Sequence, residues 1–439
     1  MSDLNLNTRQ EEQYKQKPIF LNKNYMLLTI GSFVSGMGDS IHGMALTLFV
    51  IAIAGDASIA KLGGVLGTGT ALSIVVLISY LPSIGLGPLL GVLVDRYDRR
   101  KIMIWMDVFR GFITVALGYL AYMDMAPLWV LCAATALLVS CSVFYFPAVS
   151  ALYPNLVHES QLVKANSISS FVGSTTGLLG PILAPIIYKL YGAPGAFAIN
   201  GLTFFFSAFC EIIMTTPKVQ SKGNITVKTF FSNLLGGLKF VIHTKALLAM
   251  LLFGLSVNFF FFPIQDVVHP IIIKKTLSLT DNNFGFINAM FIAGFMASAV
   301  FLNFLPKMDK KHKFMIWSMF TQALGLMLLV VPIYPMLAGK FNAGEFFMIY
   351  CSIAALRGLA FGFSNVPMRV VYQTLIPDEY RGRVYSLQGM FFQLAKPIGV
   401  AIAGPLIDIF PIHSVTTIAG LGMAIACFVM FTVKEIKEV

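Results

Sequence analysis

Charged residues are scarce in this chain of 439 residues, because Asp, Glu, Lys and Arg together make up only 12% of it. Soluble domains carry about 25% charged residues, so this chain has too little charge to cover a water-exposed surface of its size. Apolar residues account for 57% of the chain, or about 250 residues, and one membrane span uses about 20 of them. The composition therefore excludes a water-soluble protein and has room for about twelve spans.

The sequence also lacks the signals of several other protein classes. Its five cysteines all fall inside apolar runs without paired spacing, which excludes a disulfide framework and a thiolate zinc site. It contains no phosphate-binding glycine loop and no HExxH motif, and no polar segment is long enough to form an enzymatic domain. Residues 1–24 are polar and of mixed charge, unlike a signal peptide. We therefore expect neither an enzyme nor a cofactor.

Apolar runs separated by charged residues, Pro or Gly predict twelve transmembrane helices. The first six runs lie at residues 25–54, 62–94, 102–123, 127–152, 165–190 and 194–214. The second six lie at residues 246–273, 283–305, 314–335, 345–375, 383–408 and 414–433. The predicted fold class is an all-α polytopic membrane protein.

The basic residues indicate which loops face the cytoplasm. When the amino terminus is placed inside, 22 of the 31 Lys and Arg residues fall in the two tails and the inner loops, and five fall in the outer loops. This asymmetry predicts that both termini are cytoplasmic and that the protein is integral to the plasma (inner) membrane. The net charge of +11 is spread over short clusters between apolar runs, so we expect no nucleic-acid partner.

An internal repeat divides the chain into two halves. The loop after the second run reads DRYDRRKIMIW over 95–105, and the loop after the eighth reads PKMDKKHKFMIW over 306–317. Such repeats are typical of transporters, whose substrate site lies at the interface of the repeats. We predict a tail at 1–24, a six-helix bundle at 25–214, a cytoplasmic linker at 215–245, a second six-helix bundle at 246–433 and a tail at 434–439.

The loop after the second run carries a recognisable motif. Its sequence GVLVDRYDRRK, from Gly91 to Lys101, resembles motif A of the major facilitator superfamily, G-x-L-x-D-[RK]-x-G-[RK]-[RK]. Asp98 stands where the motif has glycine, and with the following DVFR segment this resembles the subgroup of macrolide-efflux proteins and the enterobactin exporter. The resemblance implies the major facilitator fold, and we expect the protein to be a monomer. It also implies an inner gate, formed by Gly91, Asp95, Arg96, Arg99, Arg100, Asp107, Arg110 and Arg383.

The fifth run contains a pattern of glycine and proline. Its sequence GSTTGLLGPILAP, from Gly173 to Pro185, is similar to motif C of drug/proton antiporters. Small residues let helices approach closely, and proline weakens the helical hydrogen-bond ladder. The resemblance implies a hinge at Gly177, Gly180, Pro181 and Pro185, and ordinary helix packing is the alternative.

Four charged residues stand out inside the predicted spans, where a charge costs about 2.5 to 3.5 kcal/mol. They are Asp39, Asp266, Arg357 and Lys396. We predict that they serve proton coupling or line the cavity, and the alternative for each acid is a structural ion pair with a base of another helix. Asp39 is the favoured coupling residue, because a carboxylate at mid-bilayer is costly to keep ionised and is suited to take up and release a proton.

Each of the two acids precedes a histidine by three residues, which gives the pairs Asp39 with His42 and Asp266 with His269. A carboxylate and an imidazole can bind a divalent metal. The two pairs differ in predicted depth by about 10 Å, so we predict no metal site and keep the histidines as minor candidates.

The predicted function is secondary active transport within the lipid bilayer. We expect proton-coupled export of an amphipathic small molecule, such as a drug or macrolide, by alternating access of the two halves. The alternatives are a carrier for a siderophore, another organic anion or a divalent metal, and a membrane sensor that does not transport.

Overall fold

The computed structural model describes residues 19–54, 67–94, 98–215, 227–304, 311–334 and 340–433, and all regular structure in these ranges is helical. The predicted all-α membrane fold is confirmed. The long helices are α1 (Lys23–Ile53), α2 (Thr68–Val94), α3 (Arg99–Tyr122), α4 (Leu128–Leu156), α5 (Leu162–Ile213), α6 (Val227–His243), α7 (Lys245–Thr276), α8 (Asp281–Phe304), α9 (Lys311–Leu328), α10 (Ala343–Leu375), α11 (Asp378–Ile409) and α12 (Ile412–Thr432).

Helix α5 is long enough for two membrane crossings. Its 52 residues would extend about 78 Å at 1.5 Å per residue, more than twice the hydrocarbon thickness of a bilayer. Gly192 interrupts the helix with a φ of 66°, a conformation that glycine adopts at little cost. In the described part of the chain, eleven helical segments are long and apolar enough to span a membrane. Because one of them is divided at Gly192, they supply the twelve predicted crossings.

The stretch predicted as the central linker contains an additional helix, α6. Its 17 residues are too few for a usual membrane span. Leu234 and Val241 are buried on one face, whereas Lys239 is exposed, which is the pattern of an amphipathic helix. The ring of Phe240 stacks on that of Tyr380 near the start of α11, with 4.3 Å between the ring centroids. The linker is therefore partly helical and packs against α11.

Packing divides the chain into two compact units. The first comprises Met1–Leu46 and Gly85–Val227, and the second comprises Thr47–Ile84 and Lys228–Val439. In the first unit α3 packs against α4 and α5, and in the second α10 packs against α8 and α9 while α7 packs against α11 and α12. This division assigns most of α2 to the second unit. The division into two six-helix bundles at 25–214 and 246–433 stays a prediction.

The assignment of α2 follows from its close contact with α11. A Cβ atom placed on Gly404 would lie 2.5 Å from the carbonyl oxygen of Gly69, so only small residues permit this approach. The carboxylate of Asp408 accepts hydrogen bonds from the backbone N–H groups of Gly69 and Thr70, at 2.9 and 2.8 Å, and from the Thr70 hydroxyl at 2.6 Å. Asp408 thus caps the start of α2, whose first N–H groups have no partner within the helix.

Candidate functional site

The first unit contains an open cavity of about 590 Å³. Helices α1, α3, α4 and α5 line it, and Asp39 and Arg110 are its charged lining residues. The rest of the wall combines aromatic rings with hydroxyl and amide groups, among them Ser35, Tyr145, Phe146, Tyr153, Asn166 and Thr176. A wall of this kind suits a ligand that has both apolar and polar parts.

Asp39 lies in the middle of α1 and faces this cavity. Its side chain is 44% exposed, and its Oδ2 atom lies 3.6 Å from a guanidinium nitrogen of Arg110 on α3. The Arg110 side chain is only 2% exposed, and the rings of Tyr145 and Phe204 lie 4.3 Å from its guanidinium carbon. The ion pair with another helix, which was the alternative for Asp39, is therefore present. Because only the carboxylate is open, a ligand that enters the cavity reaches Asp39 before Arg110.

Arg110 also forms an ion pair with Asp107, one turn earlier on α3. Asp107 is fully buried. Helix α3 begins at Arg99, and eleven residues at 1.5 Å place Arg110 about 16 Å along its axis. Arg110 lies beside Asp39 at the cavity, and the inner-gate role of Asp107 and Arg110 stays a prediction. A buried guanidinium needs anionic partners, and α1 supplies one at this depth.

Glu211 is a buried acid that the sequence analysis missed. It lies near the end of α5, is 1% exposed and accepts a hydrogen bond of 3.1 Å from the Tyr145 hydroxyl. The main-chain carbonyls of Glu211 and Ile212 accept hydrogen bonds from the guanidinium of Arg100. A signal was present, because Glu211 is the one acidic residue in the apolar run 194–214. Because it lies three residues from the end of that run, it resembled an ordinary residue at the membrane–water interface.

The second unit holds another group of charged side chains. Asp266 lies in a π-helical turn of α7, Ile264–Val268, a distortion that is frequent at functional sites. It accepts a hydrogen bond of 2.9 Å from the Tyr80 hydroxyl on α2. The ammonium nitrogen of Lys396, on α11, lies 3.9 Å from the ring centroid of Phe262 and 5.9 Å from that of Tyr80. Tyr80 thus lies between Asp266, to which it donates, and the ammonium group of Lys396.

Arg357 of α10 is enclosed within the second unit. It is 1% exposed, and its guanidinium donates a hydrogen bond of 3.0 Å to the Gln265 side-chain oxygen. The rings of Phe261 and Phe291 lie 5.4 and 5.8 Å from its guanidinium carbon, and its alkyl chain lies against Gly325 of α9. A cavity-lining position was expected for Arg357, but here an amide and two ring faces take the place of water around the cation.

The two histidines pack on aromatic neighbours. Both side chains are buried. The ring centroid of His42 lies 4.9 Å from that of Phe197, and the ring centroid of His269 lies 6.4 Å from that of Phe284. The part of the chain that the structure describes holds no group of three or more His, Cys, Asp or Glu side chains arranged to bind a metal.

Sequence comparison connects this arrangement with a known family. The family model described as "Major Facilitator Superfamily" matches residues 28–270 and 257–438. The chain belongs to the Major Facilitator Superfamily. The predictions that it is a transporter and not an enzyme are thereby confirmed.

Several curated relatives of this superfamily member are efflux proteins. Macrolide efflux protein A of Streptococcus pyogenes is 26% identical over 396 residues, which cover 90% of this chain and 95% of that protein. Macrolide efflux protein A of Enterococcus faecalis is 28% identical over 324 residues, which cover 74% and 97%. Multidrug efflux pump Tap of Mycolicibacterium fortuitum is 22% identical over 432 residues, which cover 94% and 96%. The predicted resemblance to macrolide-efflux proteins is confirmed.

Solved structures share the fold of this superfamily member. A bacterial homologue of the iron transporter ferroportin, in an inward-facing state, has a TM-score of 0.70 and 17% identity, and the match covers 94% of this chain and 100% of that chain. A D-xylose-proton symporter has a TM-score of 0.69 and 12% identity, with 95% and 99% covered. At these identities the comparison shows the fold alone.

Motif A of this superfamily member leads from α2 to α3. Gly91 lies in α2, whereas Asp95 and Arg96 lie outside the described residues. Asp98, which replaces the usual glycine, caps the start of α3, and its carboxylate accepts the backbone N–H of Arg100 at 3.0 Å. The φ of Asp98 is −61°, so this backbone position does not require glycine. The departure from the motif therefore has a structural explanation as a helix cap.

The other basic gate candidates contact main-chain or aromatic groups in the described part of the chain. Arg99 donates a hydrogen bond of 3.0 Å to the carbonyl of Ala151 on α4. The guanidinium carbon of Arg383 lies 5.8 Å from the ring centroid of Tyr380, and the Arg383 main chain approaches Gly237 of α6. A pairing of Arg383 with Asp95 stays a prediction because Asp95 is outside the described residues.

The glycine and proline segment of α5, residues 177–185, packs against α1. A Cβ atom placed on Gly180 would overlap the hydroxyl oxygen of Ser40, so glycine is needed for this close approach. The helix continues through Pro181, and the sharp break of α5 lies farther along at Gly192. A hinge role for the segment stays a prediction.

Proposed function

We propose that this superfamily member exports an amphipathic small molecule of the macrolide class against an inward flow of protons. Its similarity to macrolide efflux protein A over 90% of its length supports the substrate class. The mixed aromatic and hydroxyl wall of the cavity supports an amphipathic ligand. The observation that carries the proposal is the carboxylate of Asp39, which is open to this cavity and paired with a buried base.

Asp39 is the group at which substrate and proton compete. When it is ionised, it attracts Arg110 across 3.6 Å and offers a negative charge to the amine of a cationic substrate. When it is protonated, it loses both interactions, and Arg110 is left to pair with Asp107. Because one carboxylate binds either the substrate amine or the proton, alternating access exchanges the two across the membrane.

The proposed orientation places both termini in the cytoplasm and the protein in the inner membrane. The excess of Lys and Arg in the tails and inner loops supports it. In a cysteine-free background, a cysteine at Lys340 is expected to react with an impermeant thiol reagent in intact cells, and one at Lys313 is not. Both positions have exposed side chains, so the reverse labelling pattern would overturn the orientation.

Transport by the purified protein in lipid vesicles tests the coupling role. With a radiolabelled macrolide as the probe, wild type is expected to concentrate the probe when a pH gradient is imposed. Asp39→Asn keeps the size of the side chain but removes its titration, so it should abolish this uphill transport and retain downhill exchange.

Asp266→Asn is the matched control, because it makes the same change in the second unit, where Asp266 accepts a hydrogen bond from Tyr80. It is expected to change the affinity for the macrolide more than its coupling to protons. If Asp39→Asn still concentrates the macrolide in response to the pH gradient, Asp39 is not the coupling site. If wild type moves no macrolide in either mode, the substrate class is wrong.

A carrier for an organic anion, such as a siderophore, is the second candidate. The second unit favours it with two cations, Arg357 and Lys396, and one nearby acid, Asp266. Arg357 is enclosed, so the half-buried Lys396 is the cation that an anion would meet. Lys396→Gln should lower the affinity for an anionic substrate at least tenfold, which corresponds to a loss of about 1.4 kcal/mol in binding free energy. It should leave macrolide export unchanged.

A further inference from the structure

Two acidic side chains of the first unit share one enclosed base, and a third acid is linked to that base through a tyrosine. Asp39 and Asp107 pair with Arg110, whose guanidinium lies over the Tyr145 ring, and the Tyr145 hydroxyl donates a hydrogen bond to Glu211. Asp107 and Glu211 are at most 1% exposed. If all three acids were ionised, negative charge without a full counter-charge would lie inside the membrane, which is costly. The cluster is therefore stable only when part of this charge is neutralised.

The hydrogen bonds of Glu211 indicate where the neutralising proton lies. An ionised carboxylate offers about four acceptor positions, but the Glu211 carboxyl receives one side-chain hydrogen bond, from Tyr145. Its Oε2 atom and the Oδ2 atom of Asp107 both have no hydrogen-bond partner among the described residues. The nearby Arg100 guanidinium is engaged with main-chain carbonyls of α5. This setting gives a carboxylate few donors and suits an acid that holds a proton.

Groups on α1, α3, α4 and α5 bear on the charge of Glu211, either directly or through Arg110. Tyr145 connects Arg110 with Glu211, because its ring face lies 4.3 Å from the Arg110 guanidinium while its hydroxyl donates to Glu211. The charge on Glu211 is therefore sensitive to the pairing of Arg110. The titratable and charged groups concerned are Asp39 of α1, Arg100, Asp107 and Arg110 of α3, Tyr145 of α4 and Cys210 of α5 itself.

We propose that Glu211 is a proton-binding site of the transporter, linked to the cavity through Tyr145 and controlled by the Arg110 ion pairs. While Asp39 is ionised, it shares Arg110 with Asp107, and Glu211 keeps its proton. When Asp39 takes up a proton from the cavity, Arg110 pairs with Asp107 alone and neutralises it more fully. The O–H bond of Glu211 then breaks, and its proton passes to water at the end of α5 near Arg100. The part that Glu211 plays in coupling rests on the proposed function, but its proton occupancy does not.

Infrared spectroscopy of the full-length protein in lipid at neutral pH measures that occupancy directly. Glu211→Gln is expected to remove one carbonyl band of a protonated carboxylic acid. Tyr145→Phe is expected to keep that band but move it to higher frequency, because the acid loses a hydrogen bond. Asp408→Asn is the matched control and should leave the band unchanged, because Asp408 lies in the second unit and accepts three hydrogen bonds.

The proposal is overturned if Glu211→Gln leaves every carboxylic-acid band of the folded protein in place. A thermal unfolding transition establishes that the variant is folded. If Glu211→Gln does not fold, Tyr145→Phe carries the test, and an unshifted band then overturns the proposal.

Macrolide transport separates this proposal from the proposed function. Glu211→Gln is expected to retain downhill exchange. The stimulation of its transport by a pH gradient should be at least tenfold smaller than in wild type. If wild type shows no proton-driven transport but the Glu211 band is present, the proposed function fails and the proton site stands. If transport is proton-driven but the band is missing, the proton site fails and the proposed function stands.

Discussion

The two compact units accommodate buried charge in different ways. In the first unit the cation of Arg110 is balanced by acids, with Asp39 on α1 and Asp107 on its own helix. In the second unit Arg357 donates to the neutral amide of Gln265 and lies among aromatic rings. Lys396 likewise lies over a phenylalanine ring. Both arginines lie against aromatic rings, but the polar partners of Arg110 are acids whereas that of Arg357 is an amide.

This difference determines how each unit responds to protons. An ion pair depends on the ionisation of its acid, so adding a proton to Asp39 changes the balance of the whole cluster in the first unit. A guanidinium held by an amide and by ring faces keeps its partners whatever the protonation of nearby acids. We therefore expect the partners of Arg110 to change with pH and those of Arg357 to stay constant. The following predictions test this contrast.

The largest expected effect is on stability when each buried arginine is replaced by glutamine. Arg110→Gln leaves Asp107 buried without its cation and should lower the free energy of unfolding by about 3 to 5 kcal/mol. Arg357→Gln leaves only the neutral Gln265 short of one donor and should cost about 1 to 3 kcal/mol. Denaturant or thermal unfolding in the same detergent measures both. Equal losses, or a larger loss for Arg357→Gln, would contradict the contrast between the units.

A smaller effect is expected from carboxylates that differ in their hydrogen bonds. Asp408→Ala removes three hydrogen bonds at the start of α2 and should cost about 1 to 2 kcal/mol, as for the loss of a helix cap. Asp408→Asn keeps one acceptor oxygen and should cost less. Glu211→Gln should change unfolding by less than about 0.5 kcal/mol, because the amide replaces a neutral acid of the same shape. A larger loss for Glu211→Gln than for Asp408→Ala would indicate that Glu211 is ionised.

The smallest stability effect is expected from Tyr80 and Tyr145, which donate to the half-buried Asp266 and the buried Glu211. Tyr80→Phe and Tyr145→Phe each remove one hydrogen bond, worth about 0.5 to 1.5 kcal/mol. Their effects on the pH dependence of macrolide export should differ, because Tyr145 contacts the titrating cluster and Tyr80 contacts Asp266. We expect a displaced pH profile for Tyr145→Phe and an unchanged one for Tyr80→Phe. Equal displacement of both profiles would remove the functional distinction between the units.

The twelve crossings were predictable because each depends on one continuous apolar segment. Even the break within α5 was predicted, since Gly192 lies between the runs 165–190 and 194–214. Helix α6 was not predicted, because its apolar face is too short to stand out from the polar linker around it. The cap of α2 by Asp408 was also missed, since the two partners are 338 and 339 residues apart in sequence.

The candidate site was predictable in part. Asp39 was identified because a lone acid in an apolar run is costly, and Asp107 and Arg110 were identified through the family resemblance alone. The sequence did not indicate that Arg110 reaches Asp39, since that contact joins α1 to α3. The sequence also did not distinguish Glu211 from an acid at the membrane–water interface, because the burial of Glu211 depends on side chains of α3 and α4 that contact α5.

The sequence by itself determined the number of membrane crossings and the residues that carry charge within them. Bilayer thickness and the cost of burying charge act on each segment separately, so composition and length suffice. Only the tertiary structure decided which charges meet, that Asp39 and Asp107 share Arg110, and that Arg357 has an amide instead of an acid as its partner. Those pairings depend on the rotation and depth of helices that form independently, and close packing fixes both only when the helices assemble.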